Sequence, residues 1–154
     1  MIPYIIQTLM GAIGAVGFAI LFNVRGKKLI LFFLGGALDW AVYLLCTQNG
    51  SNMFVGLLFA TMTAALTSEV LARVLRAPVL ILLVPMLIPL IPGGDLYRSM
   101  DALIRGDQAR FLSHGASAIT AAGAISLGII CITALTQIIF GVWEHIQEVC
   151  RNLQ

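Results

Sequence analysis

Residues 115–140 read GASAITAAGAISLGIICITALTQIIF, a run of 26 residues without a charged side chain. At 1.5 Å of rise per residue, about 20 residues cross the ~30 Å hydrocarbon core of a bilayer as an α-helix. This run therefore reads as a membrane-spanning helix, and the rest of the chain repeats the pattern. Residues 2–22 are apolar apart from Gln7 and Thr8, residues 29–46 carry one charge, Asp39, and a third run starts near Met53 and extends to about residue 71. With 60% hydrophobic and 10% charged residues in 154, against about 25% charged in a soluble domain, the chain cannot hide its apolar surface from water. An ordinary soluble enzyme, a nucleic-acid binder and a disordered tail are excluded. The predicted fold is all-α, a single polytopic membrane domain over residues 1–154 with about five transmembrane helices.

The fourth run, residues 78–92, is different. It holds Pro78, Pro85, Pro89 and Pro92 and ends in Pro92-Gly93-Gly94. An interior proline removes a helical hydrogen bond and clashes with the carbonyl one turn back, so this span is predicted to be broken. Backbone freed in this way is tolerated at membrane depth only where protein buries it or water lines it. A helix restarting at Asp95 would aim its free N–H groups at the break, an arrangement suited to a substrate carboxylate. An ordinary surface loop with a Gly93-Gly94 turn is the alternative. Arg98, one turn on, could hold a carboxylate bidentately or pair with Asp95 or Asp101 on a solvated face.

Asp39 stands about midway along the second run. An acid there costs roughly 2.5–3.5 kcal/mol on insertion scales, so it is expected to face protein or water. At helical spacing its neighbours are Phe32, Gly35, Gly36, Val42, Tyr43 and Cys46. The glycines would admit a partner helix, and Tyr43 could donate a hydrogen bond to the carboxylate. The pair reads as a proton or ammonium site, or as a carboxylate satisfied within a helix contact. Gly11, Gly14 and Gly17 form a strip for close helix packing, and Glu69 and Arg73 are spaced to pair. Thr63 and Thr67 share a face with Ala60 and Ala64 and read as packing, and His114 reads as interfacial. Cys46, Cys131 and Cys150 are odd in number and lack CxxC spacing, so neither a disulfide framework nor a metal site is expected. No cofactor motif, phosphate loop or nucleophile–base set is present, and no enzymatic activity is expected.

Loop charges orient the chain. If all five runs span, Arg25, Lys27, Lys28, Arg73, Arg76 and Arg151 share one side, and Arg98, Arg105 and Arg110 lie opposite, balanced by Asp95, Asp101 and Asp107. The positive-inside rule then places the C-terminus in the cytoplasm and the N-terminus outside; a re-entrant fourth run would remove the distinction. Residues 1–4 lack the basic region of a cleavable signal, so the first span is expected to stay in the protein. Tyr4 and Trp143, the latter in an amphipathic tail with Glu144 and Glu148, fit interfacial belts.

Two segments carry a resemblance. Residues 17–24, GFAILFNV, with the basic turn and Gly35-Gly36-Ala37-Leu38 after them, resemble the opening of the C-terminal half of the threonine/serine exporter (ThrE-type) family. Residues 84–94, VPMLIPLIPGG, followed by Tyr97, are similar to that family's proline-glycine signature. The span order and the length match its small-subunit form, and the likeness covers nearly the whole chain. It implies a subunit of a bacterial inner-membrane exporter that moves threonine and serine, or C4 dicarboxylates such as succinate, out of the cell. It also implies a partner, the second-half exporter subunit, which carries a cytoplasmic N-terminal region and its own membrane helices. By position, the signature residues fall on Asn23, Pro85, Pro89, Pro92, Gly93 and Tyr97; Asp39 stands where the family pattern is often not acidic. The resulting substrate-binding set is Pro92, Gly93, Gly94, Tyr97, Arg98 and Asn23, with Asp39 and Tyr43 as the proton or ammonium site. A structural subunit whose partner holds the whole path, and a homo-oligomeric channel, are the competing readings.

The orientation has a direct test. Alkaline phosphatase, active only outside the cytoplasm, is expected to be active when fused after Asn52 and inactive when fused after Arg76; the reverse pattern would invert the topology.

Overall fold

The structure is a computed structural model that describes the backbone of residues 2–48 and 50–152 and the side chains of residues 3–48 and 50–139. Six α-helices follow in order: α1 (Ile2–Leu21), α2 (Leu29–Gln48), α3 (Met53–Leu75), α4 (Val79–Leu87), α5 (Gly93–Ile104) and α6 (Gln108–Asn152). Short 3-10 turns at Gly26–Lys28 and Ile88–Leu90 precede α2 and follow α4. Pro3–Leu21, Gly26–Gln48, Met53–Leu75 and Gln108–Ile139 are long and apolar enough to cross a membrane. Val79–Leu90 and Gly93–Ile104 form a pair bent by 56° at the break, which counts as a fifth span when taken as one crossing. The chain is an all-α polytopic membrane protein. The amphipathic tail with Trp143, Glu144, Glu148, Cys150 and Arg151 has a helical backbone, but its side chains lie outside the described residues.

Two helices run further than the apolar runs predict. α3 reaches Leu75 because Glu69 and Arg73, one turn apart, neutralise each other at 2.8 Å, so the helix continues past its apolar part. α6 begins at Gln108, ahead of the apolar run, because the Asp107 carboxylate accepts from the Arg110 N–H at 3.1 Å, a side-chain cap on an otherwise free donor. α1 ends where Asn23 takes a left-handed φ of 61°. There Val24 N–H bonds Ala19 C=O at 3.0 Å and Asn23 N–H bonds Ile20 C=O at 2.9 Å, the double bond of a Schellman end. Asn suits this helix end, since it adopts the left-handed region more readily than most residues.

Packing follows from close approaches at glycine. A Cβ added at Gly36 would lie 2.6 Å from the Ala15 Cβ and 3.2 Å from the Gly11 carbonyl, and one at Gly11 would lie 3.1 Å from the Trp40 Cβ. Contacts 15–36 and 11–40 run in opposite chain directions, so α1 and α2 are antiparallel. Gly35 faces α4, where a Cβ would meet the Met86 Cε at 2.6 Å. The Ser68 hydroxyl donates to the Met86 sulfur at 3.6 Å, so α2, α3 and α4 converge on one buried methionine. Gly128 brings α6 within backbone contact of α3 at Leu58. Of the predicted glycine strip, Gly11 packs on α2, Gly14 approaches Pro89 at 3.5 Å, and Gly17 is open. Ala60 and Ala64 are fully buried, as expected for packing, while Thr63 bonds its own helix at the Phe59 carbonyl.

Because its neighbours at Gly36 are a helix Cβ and a backbone carbonyl, neither can step aside. Gly36→Ala is expected to cost about 1–3 kcal/mol from overpacking, and Gly17→Ala about 0.5 kcal/mol or less. Reversible unfolding in mixed micelles measures both, and equal effects would contradict the packing of α1 on α2.

Candidate functional site

The site grows from the interruption of the fourth hydrophobic run. Pro85 lies inside α4 and Pro89 inside the 3-10 turn that ends it. Ile91 is then extended, Pro92 takes the N-cap of α5, and the helix restarts at Gly93, two residues before the expected Asp95. No heavy atom stands within 4 Å of a Cβ added at Gly93 or Gly94, so the start of α5 borders open space. Gly93 N–H turns back to the Ile91 carbonyl at 2.7 Å and Leu96 N–H reaches the Pro92 carbonyl at 3.1 Å. The N–H groups of Gly94 and Asp95 have no acceptor among the described residues. They are free helical donors at the positive end of the α5 dipole.

These donors open onto a cleft of about 200 Å³ between α2, the start of α3 and the α4–α5 break. Its polar wall is Tyr43, Gly93, Gly94, Asp95 and Arg98; Trp40, Leu57 and Pro92 contribute much of the apolar one. Five of the eight residues expected from the sequence, Tyr43, Pro92, Gly93, Gly94 and Arg98, thus line one cavity. Tyr97 points elsewhere and is 74% exposed, and Asn23 caps α1 outside the cleft lining.

Charge in the cleft is set by pairing on α5 and α6, which run antiparallel. The Asp95 carboxylate is drawn to His114 Nδ1 at 3.0 Å, so His114 holds an acid rather than serving only as an interfacial residue. Asp101 pairs with Arg105 at 2.9 Å and Asp107 with Arg110 at 3.3 Å. The pairing of Arg98 with Asp95 or Asp101 does not occur, because both acids have nearer partners. Arg98 has no ion pair among the described residues and also lines a second cavity of about 190 Å³ between α5 and α6. A guanidinium without a carboxylate, beside two free N–H groups, is an arrangement that suits an anionic oxygen pair.

Asp39 is 1% exposed, on the strip of α2 that holds Phe32, Gly35 and Gly36. Neither carboxylate oxygen has a hydrogen-bond partner, so the bond expected from Tyr43 is absent. Tyr43 instead lies beside Trp40, ring centres 5.4 Å apart, and against Gly56 of α3. The Asp39 carboxyl is not in the cleft lining; its chain neighbour Trp40 is. The sequence reading missed Trp40, which sits about 100° around the helix from Asp39. Its signal was the four-residue spacing from Gly36, which turns both toward α1.

A family model described as threonine/serine exporter, ThrE, matches residues 7–135. Comparison with curated proteins and with solved structures finds no match. The matched segment runs from within α1 to within α6 and includes the break, the cleft and Asp39. The family is one of transporters rather than enzymes, and the chain belongs to the threonine/serine exporter family.

Proposed function

We propose that the chain is one half of a two-part secondary exporter carrying small carboxylate-bearing metabolites out of the bacterial cell. The substrate is a hydroxy amino acid such as threonine or serine, with C4 dicarboxylates such as succinate as the second class. The partner is a second-half subunit with a cytoplasmic N-terminal region, and the pair sits in the inner membrane. One observation carries this reading: the cleft joins the free N–H groups of Gly94 and Asp95 to Arg98. A substrate carboxylate there receives charge-assisted bonds without displacing an existing ion pair. The volume of about 200 Å³ is below the roughly 300–1,000 Å³ of drug-sized sites, which favours a metabolite of a few heavy atoms.

Asp39, buried outside the cleft lining, carries a proton or takes the ammonium group of an amino acid in a state that exposes it, while Tyr43 stands on the cleft wall. A proton crossing with the substrate would draw on about 2.3 kcal/mol per 100 mV. Tyr97 and Asn23 belong to this reading as secondary positions, the first exposed outside the cleft lining and the second holding the end of α1.

Efflux of preloaded labelled threonine and succinate from cells lacking native exporters tests the assignment. The chain is expressed alone and with the matching other half. Export that needs both halves is the expected result; equal export from this chain alone would show a self-sufficient oligomer. Within the active pair, Gly93→Val has room for its side chain and is expected to block the cleft, lowering efflux at least tenfold at unchanged membrane abundance. Normal efflux by Gly93→Val, Arg98→Gln and Asp39→Asn together would place the substrate path in the partner.

A further inference from the structure

α5 is amphipathic in the reverse sense to a helix on the surface of a soluble protein, which turns its apolar stripe to the core. Leu96, Tyr97, Met100, Leu103 and Ile104 are each half or more exposed. Arg98, Asp101, Ala102 and Arg105, at helical spacing, instead line a crevice against α6. Asp107, Arg110 and His114 of α6 form its other wall, and its volume is about 190 Å³. The two helices are pinned where the Ser99 hydroxyl donates to the Phe111 carbonyl at 3.3 Å and where Asp95 meets His114 at 3.0 Å. Counted with α4 as one crossing, α5 thus turns its charged face to α6 and its apolar face outward. Ionisable residues of a span are placed that way where they line a protein interior or a watery path.

We propose that this crevice is a second carboxylate site, in series with the cleft and sharing Arg98 with it. The inference rests on the cleft being the substrate site, and it extends the path beyond that site. The charges leave one cation over. Arg105 pairs with Asp101, Arg110 with Asp107 and His114 with Asp95, while Arg98 has no ion pair among the described residues. Arg98 is also the residue common to the two linings, and its guanidinium fork can hold a carboxylate bidentately on either side. The crevice pairs are open to exchange. The Arg105 and Arg110 side chains are 73% and 79% exposed, and exposed ion pairs hold weakly. Arg105 stands seven residues beyond Arg98, about 10 Å farther along α5 at 1.5 Å per residue. A carboxylate leaving the start of α5 therefore keeps one guanidinium as it moves and meets two more ahead. Asp101 and Asp107 hold the surplus charge low, so that an anion binds there and still leaves.

Equilibrium dialysis of the purified complex of both halves against labelled threonine and, separately, labelled succinate tests the series. For whichever of the two is exported, two molecules per copy of this chain are expected to bind. Gly93→Val is expected to remove one of them and leave the other. Two double variants then probe the crevice: Arg105→Gln with Arg110→Gln, and Asp101→Asn with Asp107→Asn. Both break the same two ion pairs, with opposite effects on charge. The arginine variant is expected to weaken the second site at least tenfold, and the aspartate variant to tighten it at least threefold. Shifts in the same direction would overturn the proposal, showing that the pairs only hold α5 to α6. A single bound molecule, lost in Gly93→Val and indifferent to both double variants, would also overturn it while leaving the cleft in place. Two molecules untouched by Gly93→Val, or none of either substrate, would instead remove the cleft and the series together.

Discussion

The structure depends on how closely α2 approaches its neighbours. Lipid tails are as apolar as leucine, so helices in a bilayer associate through packing and polar contacts rather than through expulsion of water. Gly35 and Gly36 supply that packing in two directions, one toward Met86 of α4 and the other toward Ala15 and Gly11 of α1. Two adjacent glycines on different neighbours fix the rotation of α2 about its axis. The i, i+4 periodicity then sets Asp39 above Gly35 and Trp40 above Gly36. Asp39 is thereby held inward, and Trp40 is laid on Gly11 at the edge of the cleft. Changing either glycine would turn the face that carries Asp39 and Trp40 as well as loosen a contact.

The second determinant is the broken fourth run. A continuous helix there would satisfy its backbone and present only side chains. Instead, the prolines end α4 early, the 3-10 turn tightens its last residues, and α5 restarts with exposed N–H groups against a protein-lined cavity. Irregular backbone is tolerated at membrane depth under that condition. The pairing of α5 with α6 completes the arrangement: His114 draws Asp95 aside, and Arg98 remains as the cation facing the cleft.

Much of this was legible in the sequence because it rested on signals that act locally. Uninterrupted apolar length announced the spans, and proline spacing announced the break with its exposed donors. That residues 92–94 and 98 share a cleft with Tyr43 was not read from the sequence, which left Tyr43 beside Asp39. What could not be read depended on side-chain choices between helices distant in sequence. Asp95 had two plausible cations, Arg98 and His114, and only the register of α5 on α6 decides for the second. Asp39 had a tyrosine one turn away, yet the Tyr43 ring is committed to Trp40 and Gly56. Asn23 entered through the family resemblance, and its left-handed backbone at the end of α1 is a local role that no apolar pattern marks.

The strongest argument for chemistry in this chain is energetic. A carboxyl group buried without a hydrogen-bond partner is costly whether charged or neutral, and a buried indole N–H without an acceptor costs about 1–3 kcal/mol. A structural residue at position 39 would do better as an apolar side chain, since Asp39 makes no hydrogen bond that holds α2 in place. The glycines already provide the close approach, and the ring of Trp40 would pack on Gly11 equally well without its nitrogen. Two adjacent groups that gain nothing from the folded helices fit the proposed function, in which a partner would come and go. On the proposed function, a bound substrate would supply the missing bonds in one state of a transport cycle and leave them open in another. A site that was fully satisfied when empty would have no such difference to use.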